Sequence, residues 1–314
     1  MLISTQEYGM KSSSLNPQND QLGITAFASE KPRYSEWRRF WRVLFSRKIV
    51  IIGVVIFLLN IIAAIFAPLL APYDPYEQEL AISLQPPSAQ HWLGTDLLGR
   101  DELSRIIYGT RISLQVGLIA VGVAALIGFS SGLLSGYFGG KLDSVIMRIV
   151  DALMAIPPIV LTLAVASALG GGLQNIMIAV AIGMSPEYCR MIRGMALSVK
   201  TQEYITAGRA IGANSIRIML RHILPNSFPP MIVLVTLSMG YAILLEAGLS
   251  FLGIGIAPPG AAWGSMVNDG YRYLLSNPIL SFAPGICIIL VVLSVNLIGD
   301  GLRDALDPRL RGII

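Results

Sequence analysis

The chain has few side chains that could carry out catalysis, and its one candidate phosphate-binding loop is incomplete. Gly139, Gly140 and Lys141 stand in a row. A nucleotide-binding loop requires Gly, four residues, Gly-Lys and then Ser or Thr. Here Ser135 occupies the place of the first glycine, and Leu142 occupies the place of the hydroxyl residue. We therefore expect this chain to bind no cofactor, and any ATP or magnesium to be held by a separate polypeptide.

Three polar residues interrupt long apolar segments: Asn60, Asp151 and Glu246. A carboxylate in lipid is costly, so it must be paired or face water. For Glu246 the sequence favours an ion pair or a hydrogen bond between helices, and a place along a transport path is the alternative. The two histidines lie far apart and the two cysteines lie in or beside apolar segments. We therefore predict neither a metal site nor a disulfide.

The polar stretch 203–226 is the longest gap between apolar segments in the second half of the chain. Its pattern predicts one short helix from about Gln202 to Ile211 and another that starts at the N-cap Asn214 and stops before Pro225. Gly212 lies between them, where a turn favours a residue without a Cβ atom. In the second helix four apolar residues are predicted to share one face. They are Ile216, Met219, Leu220 and Ile223.

The composition is that of a membrane protein, since 54% of the 314 residues are hydrophobic and only 13% are charged. A soluble domain has about 25% charged residues. We expect a disordered N-terminus over 1–30 and a basic amphipathic helix over 31–48 that lies on the membrane surface, or that simply extends the first span. Six membrane-spanning helices are predicted at about 49–70, 113–137, 145–169, 174–192, 229–252 and 279–298.

These spans define the remaining segments and the orientation. A loop occupies 71–112, a core of five helices occupies 113–302 with a polar segment at 193–228, and a tail follows over 303–314. Of the 23 Lys and Arg residues, only four lie on the side opposite the N-terminus: Arg100, Arg105, Arg111 and Arg272. Basic residues collect on the cytoplasmic side. Both termini and the polar segment 193–228 are therefore predicted to be cytoplasmic.

Small residues and turn residues predict two local structures. Gly128, Gly132 and Gly136 share one helix face, which favours close packing against a helix of this chain or of a partner. In the loop, glycine alternates with Asp and Arg, which favours a tight, salt-bridged turn. Its candidate residues are Gly94, Asp96, Arg100 and Asp101. Contact of this loop with an extracytoplasmic protein is the weaker hypothesis.

Several motifs together resemble the permease subunits of dipeptide, oligopeptide and nickel ABC importers. Residues 94–105 read G-T-D, two residues, G-R-D, two residues, S-R; residues 246–253 read E-A-G-L-S-F-L-G; and residues 299–309 resemble the closing segment of the family. The stretch 206–225 resembles the family's coupling loop, which reads E-A-A, three residues, Gly, nine residues, I-x-L-P. Thr206, Gly208 and His222 depart from that pattern.

The resemblance implies an all-α protein of the cell inner membrane, with six transmembrane helices, both termini inside and the type I ABC importer permease fold. It implies four kinds of partner: a second homologous permease, two ATP-binding subunits, an extracytoplasmic substrate-binding protein and the lipid bilayer, with no nucleic acid. The hairpin (residues 202–221) is then predicted to couple the spans to an ATPase. The residues predicted to make or permit that contact are Glu203, Ala207, Gly208, Arg209, Gly212, Arg217 and Pro225.

The function expected from this resemblance is ATP-driven import of a small solute, with di- or oligopeptides as the first choice. Nickel, metal chelates or glutathione are alternatives within the family. An ion-coupled secondary transporter that uses Asp151 and Glu246 belongs to another class, as does a membrane anchor without its own path. No catalytic constellation is present in the sequence, so we do not expect an enzyme.

Overall fold

The computed structural model describes residues 36–256 and 259–306, which are mainly helical. The chain forms two compact units, the first ending at Arg42 and the second beginning at Val43. No strand is present in the described residues, where only an isolated bridge joins Thr95 and Asp101. The predicted all-α class is thereby confirmed. Residues 1–30, the start of the predicted surface helix and most of the predicted tail lie outside the described part.

Thirteen α-helices occur in the described residues, and we number them in chain order. They are α1 Glu36–Leu44, α2 Lys48–Ile65, α3 Ala67–Leu70, α4 Glu102–Gln115, α5 Val121–Phe138, α6 Gly140–Met154, α7 Pro158–Leu169, α8 Leu173–Lys200, α9 Glu203–Ala210, α10 Ser215–Ile218, α11 Leu224–Phe251, α12 Trp263–Tyr271 and α13 Ile279–Leu306. Wide π turns at Val116–Ala120 and Met219–Ile223 join α4 to α5 and α10 to α11.

Four of the described continuous helical segments are long and apolar enough to cross a membrane: Lys48–Ile65, Glu102–Phe138, Ser215–Phe251 and Ile279–Leu306. The pair α6 and α7 gives a fifth if it is counted as one span. Helix α8 is 28 residues long, but charged residues accumulate in its second half. The multi-pass membrane class is confirmed, while the number six and the orientation stay predictions.

The helix of the second span begins at Glu102, not near Ser113 as predicted. Asp101 caps it, since its carboxylate accepts a hydrogen bond from the Ser104 N–H at 2.8 Å. Arg105 and Thr110 in its first turns are buried in the protein. Burial against other parts of the protein lets this polar segment be helical, so polarity alone marked the wrong boundary.

The predicted third span is broken rather than merely kinked. Helices α6 and α7 meet at an angle of 94°, and Pro157 and Pro158 lie at the break. A proline has no N–H to donate and disfavours a helical conformation in the residue before it. By contrast, Pro186 lies inside α8 without ending it. Helix α8 therefore continues to Lys200, and residues 193–200 are helical instead of belonging to the polar segment.

Two further helical segments, those that contain α11 and α13, are also longer than predicted. The second helix of the hairpin does not stop before Pro225, because the π turn leads directly into α11 and the segment Ser215–Phe251 is continuous. Pro225 stands in the first turn of α11, which directly follows the π turn. Helix α13 extends to Leu306, eight residues past the predicted end at Ile298.

Helices α5 and α8 pack closely through the predicted glycine face. A Cβ atom on Gly128 would lie 2.4 Å from Cβ of Tyr188, and one on Gly136 would lie 2.7 Å from Cβ of Ala196. On Gly132 it would lie 2.4 Å from the Cys189 carbonyl oxygen. The glycine face therefore seats α5 on α8 of the same chain. This contact fixes the end of α8 from which the hairpin emerges.

Candidate functional site

The hairpin has the turn that the sequence predicts. Gly212 has φ +86°, a backbone conformation that residues with a Cβ atom rarely adopt. Asn214 caps the second helix, because its side-chain oxygen accepts a hydrogen bond from the Arg217 N–H at 2.8 Å. The first helix, Glu203–Ala210, agrees with its predicted range to within one residue at each end. Local sequence chemistry thus sets the conformation of this turn.

The hairpin is anchored to the helix ends beneath it by buried apolar residues. Ile205, Ile218 and Ile223 are buried in one cluster with Leu133 of α5 and Ile192 of α8. This arrangement holds α9 and α10 against the transmembrane helices by apolar packing. We call these five residues the apolar seat of the hairpin. Close packing of this kind would make the hairpin and the helix ends move as one body.

The predicted apolar face of the second helix is wrong in part. Met219 and Ile223 are buried as expected, but Ile216 is 62% exposed and Leu220 is 55% exposed. The π turn at Met219–Ile223 changes the helical register, and Ile218, which directly precedes it, is buried together with Met219 and Ile223. Helical periodicity of 3.6 residues cannot anticipate a turn of different width.

The outer surface of the hairpin combines exposed apolar and charged side chains. Ile211 is 88% exposed and lies close in sequence to the exposed Ile216 and Leu220. Most of the predicted contact residues are exposed as well: Glu203, Ala207, Arg209, Gly212, Arg217 and Pro225, with Gly208 partly so. Exposed apolar residues rimmed by charge mark an interaction surface. The three apolar residues were not among the predicted contacts, although isoleucine and leucine in a polar loop were a visible signal.

Two cations from the hairpin and from α8 lie over one aromatic ring of α5. The Arg209 guanidinium carbon is 5.6 Å from the centre of the Tyr137 ring, and the Lys200 ammonium is 5.7 Å from it. Lys200 also donates a hydrogen bond to the Tyr137 carbonyl oxygen at 2.6 Å. We call these three residues the Tyr137 clamp. It joins α9 to α5 and α8 in addition to the apolar seat, and sequence reasoning missed it.

Ion pairs join α6 to α8 on the same side of the molecule. Arg193 donates two hydrogen bonds to the Asp143 carboxylate, at 2.6 and 2.7 Å. Ser135 of α5 donates another to the same carboxylate. Arg190 pairs with Asp151 at 2.6 Å, and both of those side chains are exposed. Asp151 is thus a helix-to-helix contact, and α5, α6 and α8 are connected near the base of the hairpin.

The other two intramembrane polar residues have different surroundings. Glu246 is fully buried in α11, and its Oε1 accepts a hydrogen bond from the Ser250 hydroxyl one turn away at 2.6 Å. No ion pair with a described residue accompanies it. Asn60 donates to the Ile56 carbonyl oxygen of its own helix at 2.9 Å. Neither residue bridges two helices by a described hydrogen bond.

At the opposite end, the predicted loop residues form a tight, salt-bridged structure. Arg100 donates from Nε to Asp96 at 2.7 Å, and Arg105 lies 3.5 Å from the same carboxylate. His91 pairs with Asp101 at 3.0 Å. Gly94 has φ +82°, and a Cβ atom there would lie 2.4 Å from the Gln85 carbonyl oxygen. These contacts agree with the structural role that the sequence favours for this loop.

Comparison with known families and proteins gives a consistent result. Residues 124–312 match the family described as binding-protein-dependent transport system inner membrane component. Residues 35–87 match the N-terminal TM domain of oligopeptide transport permease C.

Among curated relatives, the dipeptide transport system permease protein of Alkalihalophilus pseudofirmus is 46% identical over 88% of this chain and 91% of its own length. The glutathione transport system permease protein of Pectobacterium atrosepticum is 43% identical over 90% of this chain and 94% of its own. A probable D,D-dipeptide transport system permease protein of Escherichia coli is 42% identical, covering 90% of this chain and 95% of its own length.

Solved structures show a similar fold at low sequence identity. The MetNI methionine ABC transporter in an inward-facing conformation aligns with a TM-score of 0.55 at 21% identity, covering 65% of this chain and 97% of that chain. An amino acid ABC transporter aligns with a TM-score of 0.51 at 14% identity, covering 64% of this chain and 94% of that chain. These two structures show the fold, and the family match and the curated relatives establish that the chain belongs to the binding-protein-dependent inner membrane permeases of ABC importers.

Proposed function

We propose that this chain is the permease subunit of an ATP-driven importer of di- or oligopeptides, and that the hairpin couples it to a separate ATPase. The observation that carries the coupling role is the two-sided construction of the hairpin. One side is seated on α5 and α8 by buried isoleucines, and the other exposes Ile211, Ile216 and Leu220 beside charged residues. Such a surface suits a partner protein better than water.

In the proposed mechanism the energy comes from partner subunits. Two ATPases hold ATP and magnesium, and this chain has no ATPase site of its own. ATP binding draws the ATPases together, and the hairpin, seated in a groove of one of them, follows. The seat and the Tyr137 clamp pass this displacement to α5 and α8. Rigid-body motion then opens the transport path alternately to the two sides of the membrane.

The partners follow from the same proposal. A second homologous permease completes the path, and an extracytoplasmic binding protein delivers the cargo. The basic residues that favour a cytoplasmic hairpin support contact with ATPases on that side. The salt-bridged loop around Asp96 and Arg100 would then face the binding protein.

Peptide cargo is supported by the relatives, which carry dipeptides and, in one group, glutathione, itself a small peptide. Glutathione is therefore the second candidate. Nickel or another metal chelate has weaker support. An ion-coupled mechanism has less, because Asp151 is ion-paired with Arg190 and Glu246 accepts a hydrogen bond from Ser250. Asp151 is thus engaged by a cation, and Glu246 is fully buried.

The test is reconstitution of the complete transporter in vesicles, with native mass spectrometry of the binding protein to identify the bound ligand. We expect ATP-dependent uptake of a peptide and co-purification of ATPase subunits. The variant Ile216→Asp should abolish uptake and the stimulation of ATP hydrolysis, because a charge would replace an apolar contact. Leu275→Asp, at a fully exposed position far from the hairpin in sequence, is the matched control. Normal uptake by Ile216→Asp would contradict the coupling role, and uptake driven by an ion gradient alone would contradict the ATP-driven class.

A further inference from the structure

A cavity of about 560 Å³ lies beside the salt-bridged loop, at the end of the molecule that is opposite the hairpin. It is bounded by the first residues of α4, the turn between α7 and α8, the segment that follows α11, and α12. This volume falls within the range of about 300–1,000 Å³ that is usual for sites that bind small molecules. The relatives and families described above assign no role to it.

One wall of the cavity offers a hydrogen-bond acceptor with negative charge. Asp269 of α12 lines the cavity and forms no salt bridge with any described residue. Burial raises the pKa of Asp269, while the nearby Arg105 and Arg100 lower it. Arg105 is already engaged with Asp96 and with backbone oxygens of Pro75 and Pro259. A ligand that brings its own cation to Asp269 would favour the ionised carboxylate.

Another wall offers unused donors. Arg100 lines the cavity and is buried, and its Nη1 has no hydrogen-bond partner among the described residues. Gly170, Gly171 and Gly172 also line the cavity, and they lead into the 28-residue helix α8. No described side chain caps this helix. Its free N–H groups and its dipole favour a negative group at this point.

The rest of the lining mixes small polar residues with the apolar Ile254 and Ile256. Ser167, Ser265 and Asn268 are among its uncharged polar side chains. A lone anion would bind the donors and leave Asp269 without a partner. A lone cation would bind Asp269 and leave the donors of Arg100 and α8 without a partner. A ligand with a positive and a negative end satisfies both walls.

We propose that this cavity is a transit site for a short peptide with free termini, with the α-ammonium group at Asp269 and the α-carboxylate at Arg100 and the N-terminus of α8. This proposal rests on the function proposed above and adds to it a binding site in the permease itself. The permease then rejects peptides whose termini are blocked, in addition to any selection by the binding protein.

The test measures access to the cavity with a thiol reagent. Ser265→Cys places a thiol in the lining of the complete reconstituted transporter, and a membrane-impermeant maleimide reports its exposure. We expect millimolar alanyl-alanine to slow the labelling, and N-acetyl-alanyl-alanine amide at the same concentration to leave it unchanged. The added variant Asp269→Asn should remove the protection by alanyl-alanine. Asn268→Cys serves as the second probe if Ser265→Cys does not assemble.

Controls separate this site from the function as a whole. Leu275→Cys lies on a fully exposed surface, so its labelling rate should not respond to either compound. The wild type gives the background from Cys189 and Cys287. Equal labelling with and without alanyl-alanine, or equal protection by the blocked compound, would overturn the proposed site even if ATP-dependent uptake is normal. Loss of uptake in the wild type would instead count against the proposed function.

Discussion

Removal of the Tyr137 ring should weaken the coupling between ATP hydrolysis and transport. The ring lies 5.6 Å from the Arg209 guanidinium and 5.7 Å from the Lys200 ammonium. A cation over an aromatic face contributes about 0.5–1 kcal/mol at an exposed site. Tyr137→Leu therefore loses about 0.5–1 kcal/mol of contact between Arg209 of the hairpin and α5, which is a factor of about 2–5 in the population of the state in which the hairpin contacts α5, and a similar amount between Lys200 of α8 and α5.

The assay compares peptide uptake per ATP hydrolysed in reconstituted vesicles. We expect Tyr137→Leu to lower this ratio strongly while ATP hydrolysis continues. Tyr137→Phe keeps the ring and should stay close to the wild type. Arg209→Lys keeps the cation and should lose less than Arg209→Gln. Because both residues act through one contact, Arg209→Gln should have little further effect in the Tyr137→Leu background.

Two results would refute this reasoning. One is an unchanged ratio of peptide uptake to ATP hydrolysed in Tyr137→Leu, which would mean that the Tyr137 clamp does not pass the movement of the hairpin to α5. The other is equal loss in Tyr137→Phe and Tyr137→Leu, which would point to the hydroxyl group or to general misfolding. Phe282→Leu removes an exposed ring elsewhere in the described structure and controls for nonspecific effects.

Further predictions concern backbone geometry, helix packing and charge. Gly212→Pro should insert into the membrane normally but lose ATP-coupled uptake, because proline cannot adopt φ +86°; uptake and membrane content can be measured together. Gly128→Leu should abolish the folded peak in size-exclusion chromatography, whereas Gly122→Leu should retain it, since a Cβ atom on Gly122 meets nothing within 4 Å. Asp151→Asn should change the free energy of unfolding by less than about 1 kcal/mol, because its pair with Arg190 is exposed. It should also keep ATP-driven uptake, which an ion-coupled transporter that depends on this carboxylate would lose.

Local chemistry explains which features could be predicted from the sequence. The turn at Gly212 and the cap at Asn214 depend on residues adjacent in the chain, so their types were sufficient. The glycine spacing of α5 likewise predicts a close helix contact, because small side chains are what such a contact requires. The salt-bridged loop follows from Asp and Arg residues only a few positions apart.

Helix boundaries failed where burial or turn width overrode the local pattern. The start at Glu102 depends on polar side chains buried by distant parts of the protein. The continuation of the hairpin into α11 depends on a π turn that leads directly to Pro225. Neither the burial of these polar side chains nor the π turn can be predicted from hydropathy, since hydropathy depends on residue type and not on the neighbours that a residue has in the folded protein.

The sequence alone determined that the protein is an α-helical membrane permease with a glycine-marked turn in a polar loop, because apolar composition, motif spacing and capping residues are local properties. The tertiary structure decided which residues share a surface. It brought Tyr137, Lys200 and Arg209 together, and it placed Asp269 in the same cavity as Arg100 and the start of α8. These contacts join residues that are far apart in the chain, so only the packing of the helices against one another could create them.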